Sequence, residues 1–535
     1  MFLRFKTRKK DGKVHRYWSV VESRRVADGR VVQRQVLYLG EVNDAQRAAW
    51  CRCIEVFDEE RGAAAQIALF PEGRAAPQLE CEVVQVRLNE LQLRHPRQWG
   101  GCWLACTLWD LLGLDTFWFP RLKPSRKGTR WLNVLKVLTV YRLIDPGSEW
   151  RLHRQCYDRS AMGDLLGEDF AIAQSDTLYR CLDLLLAHKE ALFSFLQQRW
   201  RTLFEARFEV LLYDLTSTYF ECDPPESGKR RFGYSRDKRF DCVQVVIALI
   251  VTPEGFPLGY EVLPGNTVDN QTLKDALAKI EARYGKAERV WVMDRGIPTE
   301  ASLAVMRGSD PPVHYLVGTP KGRASKLEKS FLGKPWEQVR DEVEVKLLVE
   351  DDETYVLASS AGRRHKERAM RKRRLRRLCK RLHELQAQAP QRDQLLLKIG
   401  AAKKEAGRAF SLVKIRLPKP DEAVTPETFA FTLDRKKLRQ VRRREGRYLL
   451  RSNLTDEDPA KLWTYYIQLT EVEQAFKELK GDLGIRPIYH QREDRIEAHI
   501  FVAFVAYCLQ VTLKQRLRVV APGLTPRAAL EKFGV

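Results

Sequence analysis

The sequence lacks a cysteine framework. Its 11 cysteines are scattered, and only Cys51/Cys53 and Cys102/Cys106 lie close together. Neither pair has a second pair at the spacing of a zinc site, so we do not expect structural zinc. Free thiols in a reducing compartment fit this distribution better than disulfides do.

Targeting segments and membrane-length apolar runs are missing as well. The first ten residues contain no apolar signal region. The longest apolar run, Ile500–Leu509, is shorter than the ~20 residues that a helix needs to cross a bilayer. The sequence has no internal repeat and no long Gly/Ser linker. We therefore expect a soluble, intracellular protein without a membrane partner.

Acidic residues are the minority charge. Lys and Arg number 93 against 70 Asp and Glu, a formal net charge of +23. A basic surface gains from releasing counterions off phosphates, which favours a polyanionic partner but selects no reaction. The chain has 535 residues, of which 44% are hydrophobic, enough for two to four domains with sizeable cores.

The first 204 residues change from strands to helices. Residues 13–24 and 30–39 alternate in polarity around Asp28-Gly29, which predicts a β-hairpin. We assign this hairpin to a small basic unit over residues 1–80, and a helical, DNA-binding region to residues 81–204. The clearest helical segments are residues 131–143 and 177–203.

Beyond residue 204 the pattern changes to strands. Three apolar runs followed by alternating helices and strands predict a mixed sheet covered by helices, an α/β fold. The predicted strands are residues 208–214, 240–251, 255–263, 289–294, 314–317 and 446–453. The sheet would be built from residues 205–320 and 446–535. The last long helix has a buried stripe, and we expect His499 on it to be a satisfied core histidine.

A strongly basic segment interrupts this core. Residues 363–381 carry twelve Lys or Arg against one Glu, and leucines spaced by three and four residues give the helix an apolar seam. Pro390 ends it before a returning helix, so residues 321–445 are predicted to form an inserted domain with a basic helical hairpin. A solvated helix is the alternative. We favour a phosphate-facing surface, with these DNA contacts: Arg371, Lys372, Arg373 and Arg374.

The segment from Tyr466 to Lys480 is the most informative helix pattern. One side of this segment and its flanking residues is apolar, formed by Leu462, Tyr466, Leu469, Val472, Phe476, Leu479 and Leu483. Glu473 and Lys480 lie at the edge of this stripe, two turns apart, whereas Glu471 points away. A surface helix with charges beside its buried face would give the same pattern.

Three carboxylates could form one site. Asp214 and Asp294 each close an apolar strand, and parallel neighbouring strands would place them at the same edge of the sheet. A helix packed over that edge could add Glu473. Carboxylate oxygens are preferred ligands of Mg²⁺, and two such ions can support phosphoryl transfer. Strand-end aspartates also serve as caps and turns, which is the alternative for each residue alone.

Several sequence blocks resemble the bacterial DDE transposases of the insertion sequence 4 superfamily, in particular its insertion sequence 1634 branch. The signature Y-x2-R-x3-E-x6-K fits Tyr466, Glu473 and Lys480, with Leu469 in place of the arginine. The other similar blocks are Tyr213–Glu221, Gly233–Arg239, Gly255–Glu261, Pro264–Thr267, Val292–Gly296 and Arg486–His490. Blocks in the right order over residues 130–520 are far more specific than any one of them.

The resemblance implies a ribonuclease-H-like core and a DNA transposase of the cut-and-paste type. Asp214, Asp294 and Glu473 would hold two Mg²⁺ ions, for which Mn²⁺ can substitute. Tyr466 and Lys480 would bind DNA phosphate. The expected partners are the transposon's terminal inverted repeats and target DNA, bound by a homodimer, in the bacterial cytoplasm at the nucleoid.

The sequence leaves other classes open. A domesticated DNA-binding protein that no longer cuts would keep the basic surfaces. A metal-dependent nuclease of the same fold would keep the three carboxylates without strand transfer. Leu469 also departs from the family pattern, because the signature arginine is thought to contact phosphate near the transposon end.

Overall fold

A computed structural model describes residues 97–534, except for short gaps, and five strands that precede them. The gaps are residues 227, 270–271, 285–288, 320–326, 328–329, 341, 351 and 456. The five N-terminal strands are β1 (Phe2–Lys10), β2 (Lys13–Arg25), β3 (Val31–Glu41), β4 (Cys53–Asp58) and β5 (Ala63–Ala68).

The predicted N-terminal hairpin is present. Strands β2 and β3 pair antiparallel, from Tyr17 opposite Glu41 to Arg25 opposite Val31. The Asp28-Gly29 turn lies outside the described residues. The sequence pattern missed β1, which pairs antiparallel with β2, and a second ladder joins β4 to β5.

Residues 100–204 are helical, as the sequence predicts. The helices are α1 (Gly100–Leu111), α2 (Leu114–Trp118), α3 (Trp131–Ile144), α4 (Glu149–Arg151), α5 (Met162–Leu166), α6 (Ser175–Leu185) and α7 (Lys189–Phe204). The prediction of a single helix over residues 177–203 is wrong, because a 3-10 turn at Leu186–His188 separates α6 from α7. Both helices nevertheless bury apolar faces in the main core.

One mixed sheet organises the rest of the chain. Its first five strands are β6 (Val210–Phe220), β7 (Val243–Val251), β8 (Pro257–Pro264), β9 (Val290–Met293) and β10 (His314–Thr319). They lie side by side in the order β8-β7-β6-β9-β10, with β6, β9 and β10 parallel and the other pairs antiparallel. This is the strand arrangement of a ribonuclease-H-like core.

The sheet continues into the segment that the sequence assigns to an insertion. The nine-stranded sheet is completed by β11 (Glu337–Arg340), β12 (Val343–Glu350), β13 (Glu353–Ser360) and β16 (Arg447–Ser452). Strand β16 lies between β10 and β13. The segment 321–445 is therefore joined to the core through three strands, and the domain boundaries given above stay a prediction.

The basic helical hairpin follows β13. It consists of α10 (Ala361–Gln388) and α11 (Arg392–Ala406), followed by a strand pair, β14 (Val413–Arg416) and β15 (Ala430–Leu433), and by α12 (Arg435–Arg444). The hairpin has its own small core, in which Leu378, Leu382 and Leu385 of α10 meet Leu395 and Ile399 of α11. The leucine spacing seen in the sequence is this seam.

Helices cover the central sheet. They are α8 (Leu273–Tyr284), α9 (Glu300–Gly308), α13 (Pro459–Ile467), α14 (Leu469–Lys480) and α15 (Glu493–Val520). The last helix, α16 (Pro526–Phe533), packs on α1 and α15. Among the described residues, α15 is the one helix long and apolar enough to cross a membrane, yet 94% of its apolar window is buried inside the protein. Burial by α3, α6 and the sheet makes α15 the central core helix.

Candidate active site

Two parallel strands align the aspartates. Tyr213 on β6 lies opposite Met293 on β9, so the next residues, Asp214 and Asp294, leave the ladder side by side. The expectation that both residues end their strands is half right. Asp294 directly follows β9, but β6 continues to Phe220 and holds Asp214 in its middle.

The glutamate comes from α14, which packs over β6. Leu469, Val472 and Phe476 are buried, while Glu473 is exposed beside them. Glu471 points the other way and binds Lys514 of α15 at 2.5 Å. The predicted phase of the helix, which separates the two glutamates, is confirmed.

The segment before Glu473 is not one continuous helix. It is broken at Gln468, whose amide N–H is shared between the carbonyls of Thr464 and Tyr465. The Thr470 hydroxyl donates to the Ile467 carbonyl at 2.8 Å. Side-chain bonds of this kind compete with the backbone ladder and bend helices. The break lies between Tyr466 and Glu473, so these two residues belong to different helices.

Asp214, Asp294 and Glu473 line one cavity of about 410 Å³, which we call the carboxylate cavity. Aromatic and basic residues line the same cavity: the rings of Tyr448 and Tyr466 stack with centroids 5.8 Å apart. The remaining lining includes Arg295, Arg363, Arg444, Arg447 and Leu469. The sequence predicted the carboxylates and Tyr466 here, but not Tyr448 or the arginines.

The site favours a cation. Burial raises the pKa of Asp214 to about 7, assisted by the charges of Asp294 and Glu473 and opposed by the Leu215 amide and Arg236. Three acids this close repel one another unless positive charge stands between them. Oxygen donors of this kind suit a hard divalent ion. The residues present therefore fit a divalent metal.

A second opening of about 300 Å³ reaches the same three carboxylates from the other side. Arg236 lies there and binds both oxygens of Asp269, at 2.7 and 2.8 Å. Thr216 lines this opening as well, because it is two residues beyond Asp214 on the same strand face. Arg236 belongs to a block that resembles the family, and only the fold reveals its position.

Lys480 has a partner inside the protein. Its ammonium binds Asp237 at 2.9 Å, and Arg486 contacts the same carboxylate. Burial lowers the pKa of Lys480, and its bond to Asp237 opposes that shift. Direct phosphate binding by Lys480 is therefore not what the structure shows. The pair instead ties the end of α14 to the loop that carries Arg236.

The four candidate cations on α10 do not share one environment. Arg371 is buried and binds Glu445 at 2.5 Å, so its guanidinium does not face solvent. This corrects its assignment as a DNA contact. Lys372, Arg373 and Arg374 are exposed, and their contact with DNA stays a prediction.

His499 lies in a buried polar cluster away from the carboxylate cavity. Its Nδ1 is 3.6 Å from Glu149, and His490 Nε2 is 3.3 Å from the same carboxylate. These three side chains are close enough to hold a metal ion, but Arg142 lies 3.7 Å from Glu149 and 3.4 Å from His499 Nδ1. The guanidinium already balances the Glu149 charge. His499 is thus a core histidine, but its Nε2 is buried without a hydrogen-bond partner, so the expectation of a satisfied histidine is only partly met.

The order and direction of the strands give the protein a ribonuclease-H-like core, with three carboxylates at one cavity. The family model described as "Transposase DDE domain" matches residues 208–509, more than half of the chain. The chain therefore belongs to the DDE transposase family. The model described as "IS1634 family transposase, N-terminal domain" matches residues 3–60, which agrees with the branch that the sequence resembles.

A structure comparison gives a distant likeness. The cryo-EM structure of the piggyBac transposase synaptic complex with hairpin DNA is 10% identical, with a TM-score of 0.34 over 81% of this chain and 85% of that one. No curated protein matches the chain. From the family, the protein is a DNA transposase, an enzyme that cleaves DNA and transfers strands with the help of a divalent metal.

Proposed function

We propose that this transposase works by cut-and-paste, with Asp214, Asp294 and Glu473 as its catalytic residues. The observation that carries the proposal is their convergence in one cavity from two parallel strands and a packed helix. We propose further that the ions are two Mg²⁺, replaceable by Mn²⁺. When bound, such ions supply activation of a water or 3′-hydroxyl and stabilisation of the leaving oxygen.

The protein's own residues position the DNA. Asp214 is fixed on both sides by strand pairing, to Leu249 on β7 and through the neighbouring ladder to β9. Tyr466 points its hydroxyl toward Gly318 and Asp294, where it can donate to a phosphate oxygen. Burial raises the pKa of Tyr466 to about 12, so the hydroxyl keeps its proton at neutral pH.

The partners in this proposal are the element's terminal inverted repeats and target DNA. A homodimer would hold two ends for concerted transfer, since cut-and-paste must act on both ends of the element. We place the enzyme in the cytoplasm, at the nucleoid, because its substrate is there. The net charge of +23 supports a DNA-bound existence.

The test is a set of isosteric variants, Asp214→Asn, Asp294→Asn and Glu473→Gln. Each removes one negative ligand at nearly constant volume, so each should reduce DNA cleavage far more than tenfold and leave DNA affinity nearly unchanged. A tenfold loss is only about 1.4 kcal/mol of barrier, which is small for losing a metal ligand. A variant that keeps more than a tenth of the rate would remove that residue from the site.

Glu471→Gln is the matched control. It changes the same residue type on the same helix but on the face that binds Lys514, so it should cut normally. Joining of a pre-cut 3′ end to a second DNA distinguishes transposition from plain nuclease action. Cleavage without joining would contradict the cut-and-paste proposal.

A further inference from the structure

Helix α12 has no fully buried residue, and its best-covered side chain, Leu438, is half-buried. Seven of its ten residues are Lys or Arg, none is acidic, and all ten are described and none is buried. Asp434 caps its first turn by accepting from the Lys437 amide at 3.0 Å. This helix is not among the segments predicted from the sequence. A helix without a buried face needs another source of stability.

The charges of α12 work against the helix in isolation. Arg439 lies three or four positions from Arg435, Lys436, Arg442 and Arg443, and like charges at these spacings destabilise a helix by a few tenths of a kcal/mol each. Cations in the first turn also oppose the helix dipole, whereas Arg442, Arg443 and Arg444 in the last turn favour it. A polyanion along α12 would offset these repulsions with attraction to each cation.

The end of α12 is fixed at the carboxylate cavity. Arg444, its last residue, lines that cavity together with Arg363 of α10 and Arg447 of β16. The next residue, Glu445, is buried and binds Arg371, with Arg368 at 3.8 Å. This buried ion pair joins α10 to the end of α12, one residue beyond Arg444.

We infer that α12 is a phosphate-binding surface that guides duplex DNA into the carboxylate cavity. Its exposed cations would follow the backbone next to the phosphodiester that is cleaved, ending at Arg444. The inference rests on the proposed function for its substrate and adds the surface that delivers it. Phosphate contacts of this kind fix position and carry no sequence information.

The test is the triple variant Arg439→Gln, Arg442→Gln and Arg443→Gln. Both it and the parent protein carry Glu473→Gln, so that binding is measured without cleavage on a duplex of arbitrary sequence. Each phosphate contact adds about 0.9 to the slope of log affinity against log salt, so the slope should fall by about 2.7. Raising salt from about 50 to 200 mM should then cost the parent roughly 40-fold more affinity than the variant.

A second triple variant controls for net charge: Lys403→Gln, Lys404→Gln and Arg408→Gln. These residues are exposed at the end of α11 and just beyond it, and their removal lowers the charge by the same amount. The control should keep most of the parent's slope. An unchanged slope in the α12 variant, or an equal fall in both variants, would overturn the inference.

Hydrogen exchange gives an independent readout. If phosphates stabilise α12, the amides of residues 435–444 should exchange more slowly in the DNA complex, and the triple variant should lose this protection. Equal exchange with and without DNA would also overturn the inference. The salt dependence and the hydrogen exchange both report DNA binding and do not require cleavage. Failure of the proposed function would instead appear as normal cleavage by the carboxylate variants.

Discussion

The sheet-centred body and the helical hairpin use their residues in opposite ways. The body has one continuous apolar core, built around α15 and the central sheet, that fixes three carboxylates at a cavity. The hairpin of α10 and α11 has a small separate core and exposes most of its cations. Packing thus supplies the precise geometry in the body, whereas the hairpin supplies charge whose exact placement matters less.

The largest expected effects come from removing a large side chain from either core, and they should show whether the two cores unfold separately. Phe504 on α15 is 2% exposed and packs against Phe193 and Tyr260, with ring centroids 4.9 and 5.1 Å away. Phe504→Ala should lower the free energy of unfolding of the body by about 3–5 kcal/mol. Leu382→Ala in the hairpin core should cost about 2–5 kcal/mol but open only the hairpin.

Hydrogen exchange of β6 and α10 checks this comparison in both variants. Phe504→Ala should increase exchange in β6, whereas Leu382→Ala should increase it in α10 and leave β6 protected. If Leu382→Ala opens β6 equally, the two cores unfold as a single cooperative unit and the comparison fails.

An effect of intermediate size concerns the free energy of unfolding at low pH, which we expect to depend on a buried histidine of the body. Burial, together with Arg142, lowers the pKa of His499 to about 4, against about 6.5 in an unfolded chain. Between these values the unfolded chain binds a proton that the folded protein does not. The contribution of His499 to the free energy of unfolding is therefore fully present above pH 6.5. It falls by up to about 3 kcal/mol as the pH drops toward 4.

His499→Gln removes this titration and should flatten the pH dependence of the unfolding free energy over that interval. Glu149 acts in the same direction at lower pH. Burial raises its pKa, but hydrogen bonds from His490 and His499 outweigh burial and hold it well below its ordinary value. The control is His383→Gln, at an exposed histidine of the hairpin. This variant should show the same pH dependence of the unfolding free energy as the parent. Equal pH dependence of the parent and His499→Gln would refute the assignment.

The smallest expected effect comes from adding a cation, of the kind that the hairpin exposes, to the carboxylate cavity of the body. Leu469 is 9% exposed and lines the carboxylate cavity. In Leu469→Arg the aliphatic stem can stay packed while the guanidinium reaches into the cavity. We expect normal folding and about fivefold tighter binding of substrate DNA, the value of one hydrogen bond of about 1 kcal/mol.

Leu469→Met, which keeps the volume without the charge, should bind as the parent does. A lower melting temperature of Leu469→Arg with no gain in affinity would mean that position 469 belongs to the core, where an unpaired charge costs several kcal/mol. The phosphate contact of the family's arginine would then have to come from elsewhere in the chain.

Sequence patterns predicted most elements because local and tertiary preferences agree in them. The apolar run Val243–Val251 is buried along its whole length, and the leucine seam of α10 meets α11. The pattern failed where side-chain bonds decided the outcome, as at Gln468, where neither Gly nor Pro marks the break. It also placed the end of β6 at Asp214, because a carboxylate after an apolar run looks like a strand end.

The sequence by itself determined the three carboxylates, the helix phase that separates Glu473 from Glu471, and the basic hairpin, since periodicity and charge are local properties. Only the tertiary structure decided which cations are exposed. Arg371 and Lys480 meet Glu445 and Asp237 from distant parts of the chain, and no spacing rule reveals such pairs. Charge can be counted along a chain, but its exposure depends on what folds against it.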